Sequence, residues 1–156
     1  MSRFKVALIA NLDKEPIPEW VLETFNKEEI NFVMQECATR EEMASVGGDA
    51  DVVWVFGSHQ DVLTSENLDV LPQCGAIIRT GSGTDNVPIE EATKLGIVVA
   101  NTPTAVSDPV SDHTVGLLFA VIRQIPLLDR RLRAGEWRQS LETPTLHVHG
   151  KTLGLI

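Results

Sequence analysis

The sequence predicts an α/β fold: a doubly wound parallel sheet of five strands with helices on both faces. Three observations carry this. Short, continuously apolar runs alternate with helical patterns five times over the first hundred residues, which is the signature of βα units. Runs such as Val6–Ala10 and Val52–Phe56 are apolar throughout rather than at every second residue, as strands buried on both faces are. Small polar or glycine-rich loops follow the runs, Gly57-Ser58-His59, Gly81-Ser82-Gly83 and Asn101-Thr102-Pro103, and in such folds ligands bind beyond the carboxyl ends of the strands.

Val6–Ala10 is the first strand, followed by a polar loop over 11–18. Residues 19–29 read as a helix with Trp20, Val21, Leu22 and Phe25 on its inner face. Asn31–Cys37 is the second strand, and 40–48 a short helix closed by two glycines. Val52–Phe56 is the third strand. Thr64 is a cap candidate for a short helix to about Leu71, with Glu66 in its first turn and Pro72 after its end. Ala76–Thr80 is the fourth strand. Pro88 suits a first helical position, and Gly96 closes the helix 88–95. Residues 97–100 form the fifth strand.

The pattern then changes. Ser107-Asp108-Pro109 is a helix start, with Asp112 favouring the positive end of the dipole. From Val110 to Ile125 the helix is apolar nearly all round, which predicts burial on most sides. Pro126 is expected to kink it. A helical pattern with a basic face resumes over 127–133 and stops at Gly135; an irregular arm follows, and 151–156 reads as the opening of one more strand.

Composition bounds the function. Hydrophobic residues make up 43%, charged residues 22%, and the net charge is −9. That argues against nucleic acid or an anionic membrane as the main partner. The longest apolar run, Val115–Ile122, is far shorter than the ~20 residues of a membrane span. No signal peptide is evident, and Cys37 and Cys74 match no metal or redox spacing. A cytoplasmic protein with two buried thiols is the expectation.

Among candidate motifs, Gly81-Ser82-Gly83 taken by itself reads as a plain turn or as an anion nest, because two glycines around a small residue let successive N–H groups converge on one spot. As the start of the dinucleotide fingerprint G-x-G-x-x-G it fails, because Asn86 stands where the third glycine belongs. His147 and His149 could share one face of a strand, but no third metal ligand is near. His59 follows a strand at the ligand rim. His113 reads as structural, Arg79 as a strand residue open to a salt bridge, and Arg130, Arg131 and Arg133 as a solvated or subunit-contacting face. A receiver domain shares the five-strand pattern, but Gly57 and Asn101 occupy the places of its acid and lysine.

The segments 79–87, 96–103 and 107–114, then Arg123 and Gly135-Glu136-Trp137, together resemble the D-isomer-specific 2-hydroxyacid dehydrogenases. The resemblance implies a flavodoxin-like substrate-binding domain over 1–101. It also implies that 102–156 form an interdomain crossing, then the helix, arm and start of a truncated Rossmann-type NAD-binding domain. The Gly81-Ser82-Gly83 backbone would bind the carboxylate of a small 2-oxo or 2-hydroxy acid, Ser58 and His59 would face the same cleft, and Ser107 would lie near the nicotinamide of NAD or NADP. A homodimer through 108–137 is implied as well. The family's glycine fingerprint and its catalytic arginine, glutamate and histidine come later than residue 156, so no catalytic residue is expected here and the fragment alone is expected to be inactive. Ser58-His59-Gln60 lacks the basic residue a phosphate would favour. A non-catalytic, corepressor-like binding module of the same family, or a standalone small-acid-binding domain, are the alternatives.

Overall fold

The computed structural model describes residues 4–10, 17–56, 62–137 and 144–155. They form two compact units, Met1–Val106 and Ser107–Ile156.

The first unit is a five-stranded, wholly parallel sheet: β1 (Lys5–Ala10), β2 (Asn31–Gln35), β3 (Val52–Phe56), β4 (Ala76–Thr80) and β5 (Val98–Asn101), in the order β2-β1-β3-β4-β5. The chain steps one way from β1 to β2, then the other way to β3, β4 and β5. Right-handed crossovers therefore place α1 (Glu19–Lys27) on one face and the later helices on the other. The later elements are α2 (Arg40–Gly47), a 3₁₀ helix over Ser65–Val70, and α3 (Ile89–Lys94).

The face under α2, the 3₁₀ helix and α3 holds the core. Register lines up Val33, Ala7, Val53, Ile77 and Val99 across all five strands. Ala7, Val53 and Ile77 are fully buried there, with Ile9, Val55, Met43 and Leu68. α2 starts in a capping box: the Glu42 N–H donates to Thr39 Oγ1 at 3.2 Å, and the Thr39 N–H donates to Glu42 Oε2 at 3.1 Å. Arg40 donates two bonds to Asp69, at 2.6 and 2.7 Å, tying α2 to the 3₁₀ helix. The second face is covered by α1 alone among the described elements. Phe25 stacks on Phe32 at 4.9 Å, and Phe32 reaches Trp54 at 6.2 Å. Beside them lies an apolar hollow of about 310 Å³ walled by Phe4, Val6, Val52 and Ile78.

In the second unit α4 (Ser107–Ile122) and α5 (Ile125–Arg133) are followed by an arm. No described helix is long and apolar enough to cross a membrane.

Several expectations need correction. Trp20 is 68% exposed rather than inward, and only Val21 and Phe25 of α1 are half-buried. Helix 64–71 is a 3₁₀ helix, and Thr64 makes no side-chain cap; the Asn67 side chain donates to the Val62 carbonyl at 2.9 Å instead. Pro126 does not kink the long helix. α4 ends at Ile122, Gln124 takes a left-handed φ of 53°, and Pro126 falls in the first turn of α5, where its missing N–H costs no helical bond. No residue of α4 is buried: the described part of its own unit covers it only in part, leaving Leu118, Ala120 and Ile122 half-buried and Val115, Leu117, Phe119 and Val121 exposed. Residues 151–155 form no strand: an apolar run becomes a strand only beside a partner ladder, and Leu153 and Leu155 are exposed.

Candidate anion site at the end of the fourth strand

β4 delivers the chain to the loop as a parallel strand between β3 and β5, with Arg79 opposite Val55 on one side and Asn101 on the other. The Trp54 indole N–H donates to Thr80 Oγ1 at 2.6 Å and fixes the last strand residue. The chain then breaks at Gly81, whose φ of +117° L-residues rarely adopt.

Asn101 and Thr102 hold the turn. The Gly81 N–H donates to Thr102 Oγ1 at 2.7 Å, and the Thr102 N–H donates to the Gly81 carbonyl at 3.1 Å. Asn101 Nδ2 donates to the Ser82 carbonyl at 2.8 Å. Both carbonyls at the tip thus face β5 and are engaged. The N–H groups of Ser82 and Gly83 make no hydrogen bond among the described residues. Ser82 is exposed and Gly83 half-buried. Two adjacent free amides on a braced turn can hold one oxygen of a carboxylate or phosphate, acting as fixed partial charges that need no reorganisation.

Two side chains flank the turn. A Cβ built on Gly81 would collide with Arg79 Nη1, so the guanidinium lies against this glycine. A Cβ on Gly83 would come within 2.9 Å of Asp85 Oδ1.

The structure therefore brings Gly81, Ser82 and Gly83 together with Asn101 and Thr102. Ser58 and His59 lie outside the described residues. Ser107, exposed, opens α4 in the second unit. Sequence reasoning missed the bracing by Asn101 and Thr102, because it depends on the β4–β5 register. The two thiols belong to the core: burial pushes both Cys37 and Cys74 above the ordinary thiol value, and Cys74 donates to the Ala76 carbonyl at 3.1 Å. No group of three or more His, Cys, Asp or Glu is placed to hold a metal ion among the described residues.

Residues 7–152 match the family model described as D-isomer specific 2-hydroxyacid dehydrogenase, catalytic domain. The D-3-phosphoglycerate dehydrogenase of Methanocaldococcus jannaschii is 36% identical over 118 residues, 76% of this chain and 22% of that protein. The glyoxylate reductase of Thermococcus litoralis is 39% identical over 102 residues, 62% of this chain and 31% of that protein. The chain thus spans less than a third of either relative. Among solved structures, an NADPH-dependent glyoxylate/hydroxypyruvate reductase from Sinorhizobium meliloti, in complex with NADP and malonate, superposes with a TM-score of 0.72 at 27% identity, covering 97% of this chain and 45% of that one. The fold is shared with D-lactate dehydrogenase from Aquifex aeolicus, complexed with NAD and lactic acid, at a TM-score of 0.70 and 18% identity over 91% of this chain and 41% of that one.

Proposed function

Because this chain belongs to the D-isomer-specific 2-hydroxyacid dehydrogenase family, we propose that its first unit is the substrate-holding part of an oxidoreductase acting on a small 2-oxo or 2-hydroxy acid. The observation that carries this reading is the turn at Gly81-Ser82-Gly83. Its carbonyls are engaged by Asn101 and Thr102, and the N–H groups of Ser82 and Gly83 are left for a ligand. An acid's carboxylate is the group such a nest selects. Ser58 and His59 are proposed to complete the cleft wall, and Ser107 to lie toward the cofactor.

The cofactor of the whole enzyme is NAD or NADP, which supplies the hydride. The 156 residues contain no G-x-G-x-x-G stretch, so they do not by themselves form a dinucleotide cradle. Their part is to bind and orient the acid. Residues 102–156 are proposed to be the crossing and the beginning of the nucleotide-binding domain. The exposed Val110, Val115, Leu117, Phe119 and Val121 of α4 favour a homodimer through 108–137.

Calorimetric titration of this chain with glyoxylate and D-glycerate tests the acid-binding reading. Saturable binding is expected, and no detectable heat at millimolar ligand would overturn it. NADH oxidation by this chain alone, with glyoxylate or hydroxypyruvate, is expected to stay at the blank rate.

A further inference from the structure

We propose that Trp54 is a positioning residue for the acid site: its indole N–H sets the direction in which β4 delivers the chain into the Gly81-Ser82-Gly83 turn. The proposal rests on the nest reading above and assigns to that site a residue that acts on it from the sheet face covered by α1.

Three observations carry it. First, the tip of the turn is tied from one side. Its bonds to Thr102 and Asn101 all come from the β5 side. On the β3 side the register ends with Phe56 beside Thr80. The side-chain tie there, among the described residues, is the Trp54 indole N–H on Thr80 Oγ1 at 2.6 Å. Second, the geometry passes that tie on to the backbone. Trp54 stands opposite Ile78 and reaches diagonally to Thr80, the last residue before the +117° φ of Gly81. Threonine is β-branched and stiff at χ1, so holding its Oγ1 holds its Cα–Cβ bond and the peptide that leaves it. Third, packing alone does not orient the indole. Trp54 is half-buried; Phe32 meets its ring at 6.2 Å, and the same ring walls the apolar hollow of about 310 Å³. A ring with free space beside it is directed by its polar end, and a phenyl in its place would pack there and direct nothing.

The consequence falls on affinity more than on folding. A nest works because its N–H groups already point at one spot when the anion arrives. Removing the tie at the root of the turn lets Gly81, Ser82 and Gly83 sample more directions, and the ligand must then order them. The β3–β4 ladder and the Phe25–Phe32 contact at 4.9 Å do not involve the indole N–H, so they survive its loss.

The test compares the wild-type chain with Trp54→Phe, Thr80→Val and the double variant. Each is titrated with glyoxylate by calorimetry, and each is followed through thermal unfolding. Each single variant is expected to bind about 3–10-fold more weakly. The double variant is expected to lose no more than either single one, because both remove the same bond. Wild-type affinity in Trp54→Phe and Thr80→Val, with or without a lower Tm, overturns the positioning role and leaves the nest reading standing. Additive losses in the double variant overturn it as well. No binding by the wild-type chain overturns both readings. A second readout needs no ligand: the ¹⁵N order parameters of the Gly81, Ser82 and Gly83 amides. They should fall in Trp54→Phe and in Thr80→Val and stay at the wild-type value in Thr80→Ser, which keeps the acceptor. Order parameters unchanged in all three variants overturn the proposal.

Discussion

Replacing Thr102 by Val removes one hydroxyl and keeps the shape of the side chain. That hydroxyl accepts from the Gly81 N–H at 2.7 Å. Valine cannot accept, so the amide loses its partner while the backbone bond from Thr102 to the Gly81 carbonyl remains. A buried donor left unsatisfied costs about 1–3 kcal/mol. Gly81 and Thr102 are only half-buried, so water relieves part of this and the lower end applies, roughly 1 kcal/mol. For a unit of this size that lowers Tm by about 4–8 °C. The second effect is on binding. With one of its three ties gone, the turn samples more conformations, and the affinity for glyoxylate is expected to fall by about 3–10-fold. Thermal unfolding followed by circular dichroism gives the first quantity and calorimetry the second. Thr102→Ser, which keeps the acceptor, should restore most of both. A Thr102→Val chain with wild-type Tm and wild-type affinity would refute the reasoning. Lower stability with unchanged affinity would show that the tie is structural and that the nest does not depend on it.

Ile77 is fully buried at the centre of the sheet between Val53 and Val99, so Ile77→Ala should cost about 2–5 kcal/mol in urea unfolding. Asp49 beside Lys5, and Asp69 in its two-bond pair with Arg40, have carboxyls held below their usual value by those hydrogen bonds. The folded state then binds fewer protons than the unfolded one at acid pH. Their contribution should be intact above the ordinary carboxylate value of about 4 and lost as pH falls through it toward the lowered folded values. Urea midpoints between pH 6 and 2 check this, and Asp69→Asn should flatten part of the slope. Leu117 and Phe119 are exposed on α4 at 54% and 42%. The chain should therefore scatter light as a dimer or larger, and Leu117→Asp with Phe119→Asp should shift it toward the monomer.

The parallel α/β architecture was legible because buried strands announce themselves. Val6–Ala10 and Val52–Phe56 are apolar at every position, Ala76–Ile78 opens the fourth strand the same way, and glycines follow the third and fourth strands. The strand order agrees with the flavodoxin-like expectation, since reversal of direction after β2 puts helices on both faces. What escaped the sequence depended on contacts distant in the chain. Trp20 reads as a core residue by its chemistry but is exposed, beside a face that α1 alone covers among the described elements. Thr102 and Asn101 read as part of a crossing, yet the β4–β5 register sets them against Gly81 and Ser82. In the second unit, the apolar α4 and the run at 151–155 look like buried elements because hydrophobicity reports what a segment can bury. It does not report what covers that segment.

The most direct test of the central claim is a ¹H–¹⁵N titration of this chain with glyoxylate. The account predicts saturable shifts centred on the Ser82 and Gly83 amides, with smaller changes at Asn101 and Thr102. An absence of shifts at those two amides at millimolar glyoxylate, or shifts confined to other parts of the molecule, would contradict it.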